Sequence, residues 1–316
     1  DRKWNAFIRD SPQCVIYAKT RYLDIVSPNW SAIIATNQNN DFQAVMPLPI
    51  SKKFKVVYSF TPEFCQYLGV FFRPFYQKKE KEYAYKKRLL SEIINRIPSE
   101  IKVFQHNNAP SNDYLLPFFW NGFSMNLRYS YWLKTEAAPP EIFQKFSHRT
   151  KTCIKKAGRN NLKCVNPDQI YEIVGLGKKA GKWQFDEQKL FRLWDVLKPK
   201  NEMEAVEVRD ENEQIHGGII YLKCKEKYIY LFGALDDRFR KSGSMSLAIW
   251  HIIQSGGSGI KIHDFEGSMI ESIEKFYRGF GTIPVPYISV SKNSLNFPTK
   301  IVHSVYNRVK TKIKVL

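Results

Sequence analysis

The chain has 316 residues, room for one large domain or two of ordinary size. Hydrophobic residues make up 43%, with Phe 22, Tyr 17 and Trp 7, which supports a sizeable core and excludes disorder as the default. The net charge of +19, from 49 basic and 30 acidic residues, points to polyanions such as RNA, anionic lipid or a nucleotide's phosphates, with a solvated Lys-rich surface as the plain alternative.

Five cysteines (Cys14, Cys65, Cys153, Cys164, Cys224) form an odd, widely spaced set without C-x-x-C. That argues against a disulfide framework or zinc knuckle and for a reducing compartment. The chain opens Asp1-Arg2-Lys3-Trp4 without an apolar leader, and no stretch reaches the roughly 20 apolar residues that span a bilayer. A cytoplasmic location is expected. No His/Cys/Asp cluster has metal-ligand spacing, so no metal is expected either.

Period-two stretches alternate with helical ones. Strands are expected at 13–19, 30–36 and 42–49, with a short helix at 21–27 between the first two. A long helix at 76–97 ends at Pro98. A strand at 101–105, a short helix at 111–119 and a long strand at 123–134 follow. Pro139-Pro140 then opens a helix in its first turn, where missing amide hydrogens cost nothing. That helix is expected to run to Gly158 or Asn160-Asn161, with Lys145, Arg149, Lys156 and Lys163 on one face. Residues 145–163 hold seven Lys/Arg and no acid.

The second half is more regular. A strand at 162–165 is followed by helices at 167–179 and 186–197. Three strands come next, at 203–209, 214–223 and 227–235, separated by turns at 210–213 and 224–226. Then come a helix at 242–254, a strand at 260–265, a helix at 270–278 and a last strand at 286–290. From Lys275 onward there are eight Lys/Arg and no acid. The fold class expected is mixed α/β (α+β) in two halves, 1–138 and 139–316.

Three segments carry candidate chemistry. In 228–250, YIYLFGALDDRFRKSGSMSLAIW, a strand ends in small residues and a helix begins behind Arg238, Arg240, Lys241, Ser242, Gly243 and Ser244. Small residues at a strand end leave an amide free to face a ligand, and a helix start behind cations makes an anion site. An ordinary βα turn is the bland reading. In His263-Asp264-Phe265-Glu266-Gly267-Ser268-Met269, Asp264 and Glu266 alternate with apolar residues near a strand's C-terminal end. Either can take a proton from an attacking amine; equally, one of them, or Ser268, can cap the next helix. In Phe276-Tyr277-Arg278-Gly279-Phe280-Gly281, Tyr277 is a candidate acid or simply a core tyrosine.

These segments resemble the GNAT superfamily of acyltransferases. Its acyl-CoA pyrophosphate loop is written R/Q-x-x-G-x-G/A; Arg240 to Met245 follows it, with Met245 in place of the final small residue. The resemblance gives Phe232, Gly233 and Ala234 contact with the donor arm and polarisation of its thioester carbonyl, and makes Tyr277 the acid for the departing thiolate. The segment around Tyr277 is similar to Y-x-x-x-G-F, with Thr282 where Phe is usual. Nearly the whole chain is similar, in order, to the Fem-type, double-GNAT bacterial transferases. The matching pieces are Tyr22-Leu23-Asp24 with Trp30, Met46-Pro47-Leu48-Pro49, Gln66-Tyr67-Leu68-Gly69, residues 149–162, His216-Gly217-Gly218, Phe232-Gly233-Ala234 and 264–268. The family implies two GNAT-like halves, each a mixed sheet flanked by helices. It implies acyl-CoA (acetyl-CoA) as donor and an amine acceptor; Fem proteins proper use aminoacyl-tRNA, for which Arg149, Lys156 and Arg159 are the candidate contacts. A long helical arm found in many Fem proteins has no counterpart here. A catalytically inert module binding RNA or anionic lipid is the remaining alternative.

Overall fold

A computed structural model describes residues 1–53, 55–181, 185–256 and 259–295. The chain forms two compact units: residues 1–128 with the segment that begins at Pro286, and residues 129–285.

The first unit starts with α1 (Arg2–Asp10), whose Trp4 and Ile8, one turn apart, are buried. α2 (Thr20–Val26), β1 (Ser31–Thr36), β2 (Phe42–Leu48), β3 (Ser51–Lys53), β4 (Val56–Phe60) and β5 (Phe71–Phe72) follow. Then come α3 (Lys79–Asn95), β6 (Ile101–Asn107), α4 (Leu116–Trp120) and β7 (Ser124–Lys134), along which the chain enters the second unit. β1, β2 and β5 make an antiparallel sheet. β4 pairs antiparallel with β3 and parallel with β6. α3 buries Leu89, Leu90 and Ile93 against Ile33, Met46, Phe104 and Phe118.

The strand expected at 13–19 is instead a 3-10 turn over Ile16–Ala18. Three consecutive residues are buried there without alternation, and the backbone bonds are local: the Lys19 amide donates to Ile16 O at 3.1 Å.

The second unit contains α5 (Pro139–Gln144), α6 (His148–Arg159), β8 (Lys163–Val165), α7 (Tyr171–Lys179), α8 (Glu187–Leu197), β9 (Met203–Arg209), β10 (Ile215–Cys224), β11 (Lys227–Leu235), α9 (Ser244–Ser255), β12 (Ile262–Asp264) and α10 (Glu271–Arg278). Its sheet runs β7-β12-β11-β10-β9-β8, antiparallel throughout except for β11 with β12. One face is covered by α9, where Ala248, Ile249, Ile252 and Ile253 join Val206, Ile219 and Tyr228 in the core.

The helix expected from Pro139 to the Asn160 region is two helices. Ser147 breaks it: its backbone is extended, its hydroxyl accepts from the Thr150 amide at 3.2 Å, and its own amide donates to Gly279 O at 2.8 Å.

β11 and β12 pair over Lys227–Ile229, against Ile262–Asp264. Beyond that point, among the described residues, Tyr230–Leu235 keeps β10 alone as ladder partner, so the sheet splits beside Gly233. The last strand, β13 (Ile283–Asn293), runs antiparallel to β6, Ser289 opposite Asn107 and Asn293 opposite Val103. It thus completes a sheet of the first unit.

Candidate active site

Gly243 sets the geometry of the α9 N-terminus. It has φ +87°, and a Cβ there would lie 2.3 Å from Cys153 O, on the α6 backbone. Only glycine fits both the left-handed conformation and the close approach. Lys156 reinforces the contact by donating to Lys241 O at 2.9 Å. The Ser242 hydroxyl accepts from the Ser244 amide at 3.2 Å; the amides of Met245 and Ser246, in the first turn, have no intrahelical acceptor by the geometry of a helix end.

The consequence is a cleft of about 630 Å³ between α6, the start of α9 and α10. Among the described residues, Arg149, Lys156, Arg240, Lys241 and Lys275 line it with six Ser/Thr residues and no carboxylate. Arg240 also pairs with Asp237 at 3.3 Å. Fixed cations, hydroxyls and the positive end of a helix together suit a phosphate-bearing ligand.

Met245 turns its side chain toward the sheet. Its sulfur lies 3.1 Å from the point a Gly217 Cβ would occupy, and its methyl carbon 3.0 Å from the corresponding point at Gly233. The Tyr230 hydroxyl occupies nearly the same place, 1.8 Å from the Gly233 point. A bulge at Leu231, where the register shifts, puts Tyr230 and Gly233 on one face three residues apart. Gly233 thus makes room for a methionine and a tyrosine at once.

From Tyr230 the aromatic packing continues to Tyr277, whose ring lies 6.2 Å from Tyr230, 5.1 Å from Phe265 and 5.8 Å from Tyr131. Burial, then Tyr230 and the carboxylates of Glu266 and Asp264, hold the Tyr277 hydroxyl well above the ordinary phenol range. It is protonated at neutral pH.

Asp264 is fully buried and accepts from Ser130 Oγ at 2.5 Å and from the Glu266 amide at 3.0 Å, both at Oδ1. Burial pushes its carboxyl upward, against the Ser130 hydroxyl, Lys227 and the Glu266 amide. The nearby Trp132 indole also acts against that rise, although its N–H has no hydrogen bond of good geometry. Glu266 is half-buried with φ +52°, a left-handed backbone for a residue that rarely adopts it. The expected side-chain cap of α10 is not formed: Ile270 is the residue that precedes the helix, and the Ser268 hydroxyl accepts from its amide at 3.1 Å, which braces the turn ahead of α10 rather than its first-turn amides.

The residues singled out by sequence therefore fall into groups. Arg240, Lys241, Gly243 and Ser244 meet Arg149 and Lys156 in the cleft, while Ser242 is buried and braces the turn. Arg238 lies outside the lining, held by Asp236 at 2.8 Å. Arg159 is exposed on the last turn of α6, also outside the lining. Asp264, Glu266 and Tyr277 form one cluster. Phe232 turns away from it: the ring is buried against Phe185, at 4.9 Å, and over Gly177. Ala234 is buried and Gly233 is exposed. Of the acid-free tail, Lys275 reaches the cleft and the residues after Leu295 lie outside those described. Sequence reasoning passed over Tyr230 and Ser130 as site residues, because the bulge at Leu231 and the β7 pairing have no local signature.

The architecture has solved counterparts. A crystal structure of FemX matches with TM-score 0.67 over 95% of this chain and 97% of that one, at 13% identity. The fold is GNAT-like and of the Fem type. L-PGS from Bacillus licheniformis matches with TM-score 0.55 over 95% of this chain and 94% of its own, at 9% identity. A tandem GNAT protein from the clavulanic acid biosynthesis pathway matches with TM-score 0.52 over 93% and 95%, at 7% identity. No protein-family model matches the sequence, and the search of curated proteins found no significant match. Among the described residues no helix is long and apolar enough to cross a membrane.

Proposed function

We propose that this chain is an N-acyltransferase that holds the phosphates of its acyl donor in the cleft between α6 and α9 and passes the acyl group to an amine. The observation that carries this reading is the acid-free cationic cleft at the α9 N-terminus, beside a split sheet and a protonated tyrosine. An acyl-CoA supplies both phosphates and a thioester carbon. Arg240, Lys241, Arg149 and Lys156 would bind the phosphates. The one-sided backbone of Tyr230–Leu235 offers amides for the carbonyl oxygen, an arrangement worth roughly 3 kcal/mol to acyl transfer. Glu266 would take the proton of the amine, and Tyr277 would give one to the departing group. Asp264, with its Oδ1 already holding Ser130 and the Glu266 amide, acts as a positioning residue for Glu266.

An aminoacyl-tRNA donor is the second reading. Exposed Lys155 and Arg159 extend the cationic face of α6 beyond the cleft, which a long polyanion would use and a coenzyme would not. It also agrees with the Fem-type fold, which in the FemX comparison spans both chains.

The test is transfer to an amine panel from acetyl-CoA, read as free thiol, and from charged tRNA, read as loss of the aminoacyl ester. Transfer from one donor that vanishes in Glu266→Gln supports the reading. A donor that binds without transfer to any amine leaves the inert polyanion-binding module in its place.

A further inference from the structure

α4 is apolar on both sides. Leu115, Pro117 and Phe118 face inward, and Phe118 is fully buried in the core of the first unit. Leu116, Phe119 and Trp120, at the i, i+3, i+4 spacing of a single helical face, are 45%, 62% and 54% exposed. Scattered surface apolars are ordinary, but three adjoining ones including Phe and Trp are not. A helix that is apolar all round faces a second apolar phase.

The cations around this face say which phase. Lys87 Nζ lies over the Trp120 ring at 5.2 Å. Lys292 Nζ donates to Asn121 O at 2.9 Å and lies 5.0 Å from the Phe123 ring centre. Both lysines thus set an ammonium group over an aromatic ring, Lys87 over the exposed Trp120 and Lys292 over the buried Phe123. Two acids near this face are taken up by other lysines, Asp113 by Lys86 at 2.6 Å and Glu82 by Lys79 at 2.8 Å, and Glu92 is paired with Arg96 at 2.8 Å.

We infer that the α4 face is a docking surface for an anionic lipid bilayer. Leu116, Phe119 and Trp120 enter the headgroup–acyl boundary, while Lys87 and Lys292 meet lipid phosphates. Trp with flanking Lys is the composition that a membrane interface selects, and the net charge of +19 draws the whole chain to an anionic surface. An apolar groove on a protein partner would have to desolvate the Lys87 ammonium that lies over the exposed Trp120 ring, whereas a headgroup layer supplies phosphates to it.

The test is cosedimentation of the full chain with vesicles of equal parts phosphatidylcholine and phosphatidylglycerol, and with phosphatidylcholine alone. The wild type is expected to bind the mixed vesicles. The double variant Phe119→Ser, Trp120→Ser, at exposed positions and checked for unchanged circular dichroism, is expected to partition at least about tenfold less. Lys87→Glu with Lys292→Glu is expected to weaken binding and remove its preference for phosphatidylglycerol. Equal binding by the Ser variant overturns the proposal. So does loss confined to a variant with Lys310, Lys312 and Lys314 reversed to Glu, because the attraction would then lie in the basic C-terminal sequence. A wild-type dimer in sedimentation velocity that the Ser variant converts to monomer would make the face an interface between copies.

Discussion

Gly243→Ala is the sharpest probe of how the cleft is built. Its Cβ would stand 2.3 Å from Cys153 O and 3.0 Å from Cys153 C, both backbone atoms of α6. No side chain can swing away, so α6 and the α9 N-terminus must part by about 1 Å to restore ordinary contact. Overpacking of this kind costs about 1–3 kcal/mol, and the left-handed φ adds roughly 1–2 kcal/mol for an L-residue. At about 2–4 °C per kcal/mol for a unit of this size, the melting temperature should fall by roughly 4–20 °C. The separation also moves Lys156 from Lys241 O and widens the cationic cleft. Differential scanning calorimetry reads the first effect, and binding of a phosphorylated donor well below the melting transition reads the second. A melting temperature within about 1 °C of wild type would refute the tight α6–α9 contact and, with it, the shared cleft.

Asp264→Asn keeps an oxygen for both Ser130 Oγ and the Glu266 amide while removing a buried charge. Because the folded state raises the Asp264 pKa, the wild-type group contributes most below its unfolded pKa of 3.8 and loses that contribution as pH rises through the folded value. The variant should therefore gain in melting temperature relative to wild type as pH rises from acid to neutral; a gap that is flat with pH contradicts the burial argument. Glu266→Asn should keep or raise the melting temperature, since Asn tolerates φ +52° better, while abolishing transfer; a large stability loss would make Glu266 a structural residue. Met245→Ala should open the space over Gly233 and change which acyl chains are accepted, read as a shift in relative kcat/KM across acyl-CoA lengths; an unchanged profile would place the acyl path elsewhere.

Much of the second unit was legible. β9 and β11 were anticipated to the residue because polar turns bound alternating runs, and the βα turn before α9 announced itself through Gly243 and its cations. The break between α5 and α6 was not anticipated, although Ser147 is a good N-cap residue, because the apolar spacing continues across it and the Gly279 carbonyl that fixes it lies far along the chain. α1 and the short strands β3 to β5 were passed over; β5 has two residues, too few for any period to show. The pairing of β13 with β6 is a contact between distant residues that no local pattern encodes. At the site, the separate signals of the cationic helix and the anion loop turned out to be one cleft, because Gly243 brings them together. Phe232 points the other way because the bulge at Leu231 resets the face on which β11 residues lie.

The central claim is that this cleft holds the donor's phosphates. Calorimetric titration of the full chain with CoA and with charged tRNA, repeated on Arg240→Ala with Lys241→Ala, tests it most directly. Each charge-assisted contact is worth about 1.5–3 kcal/mol, so the double variant should bind its donor at least about tenfold more weakly and with a shallower salt dependence. Unchanged affinity and salt slope in that variant would contradict the account.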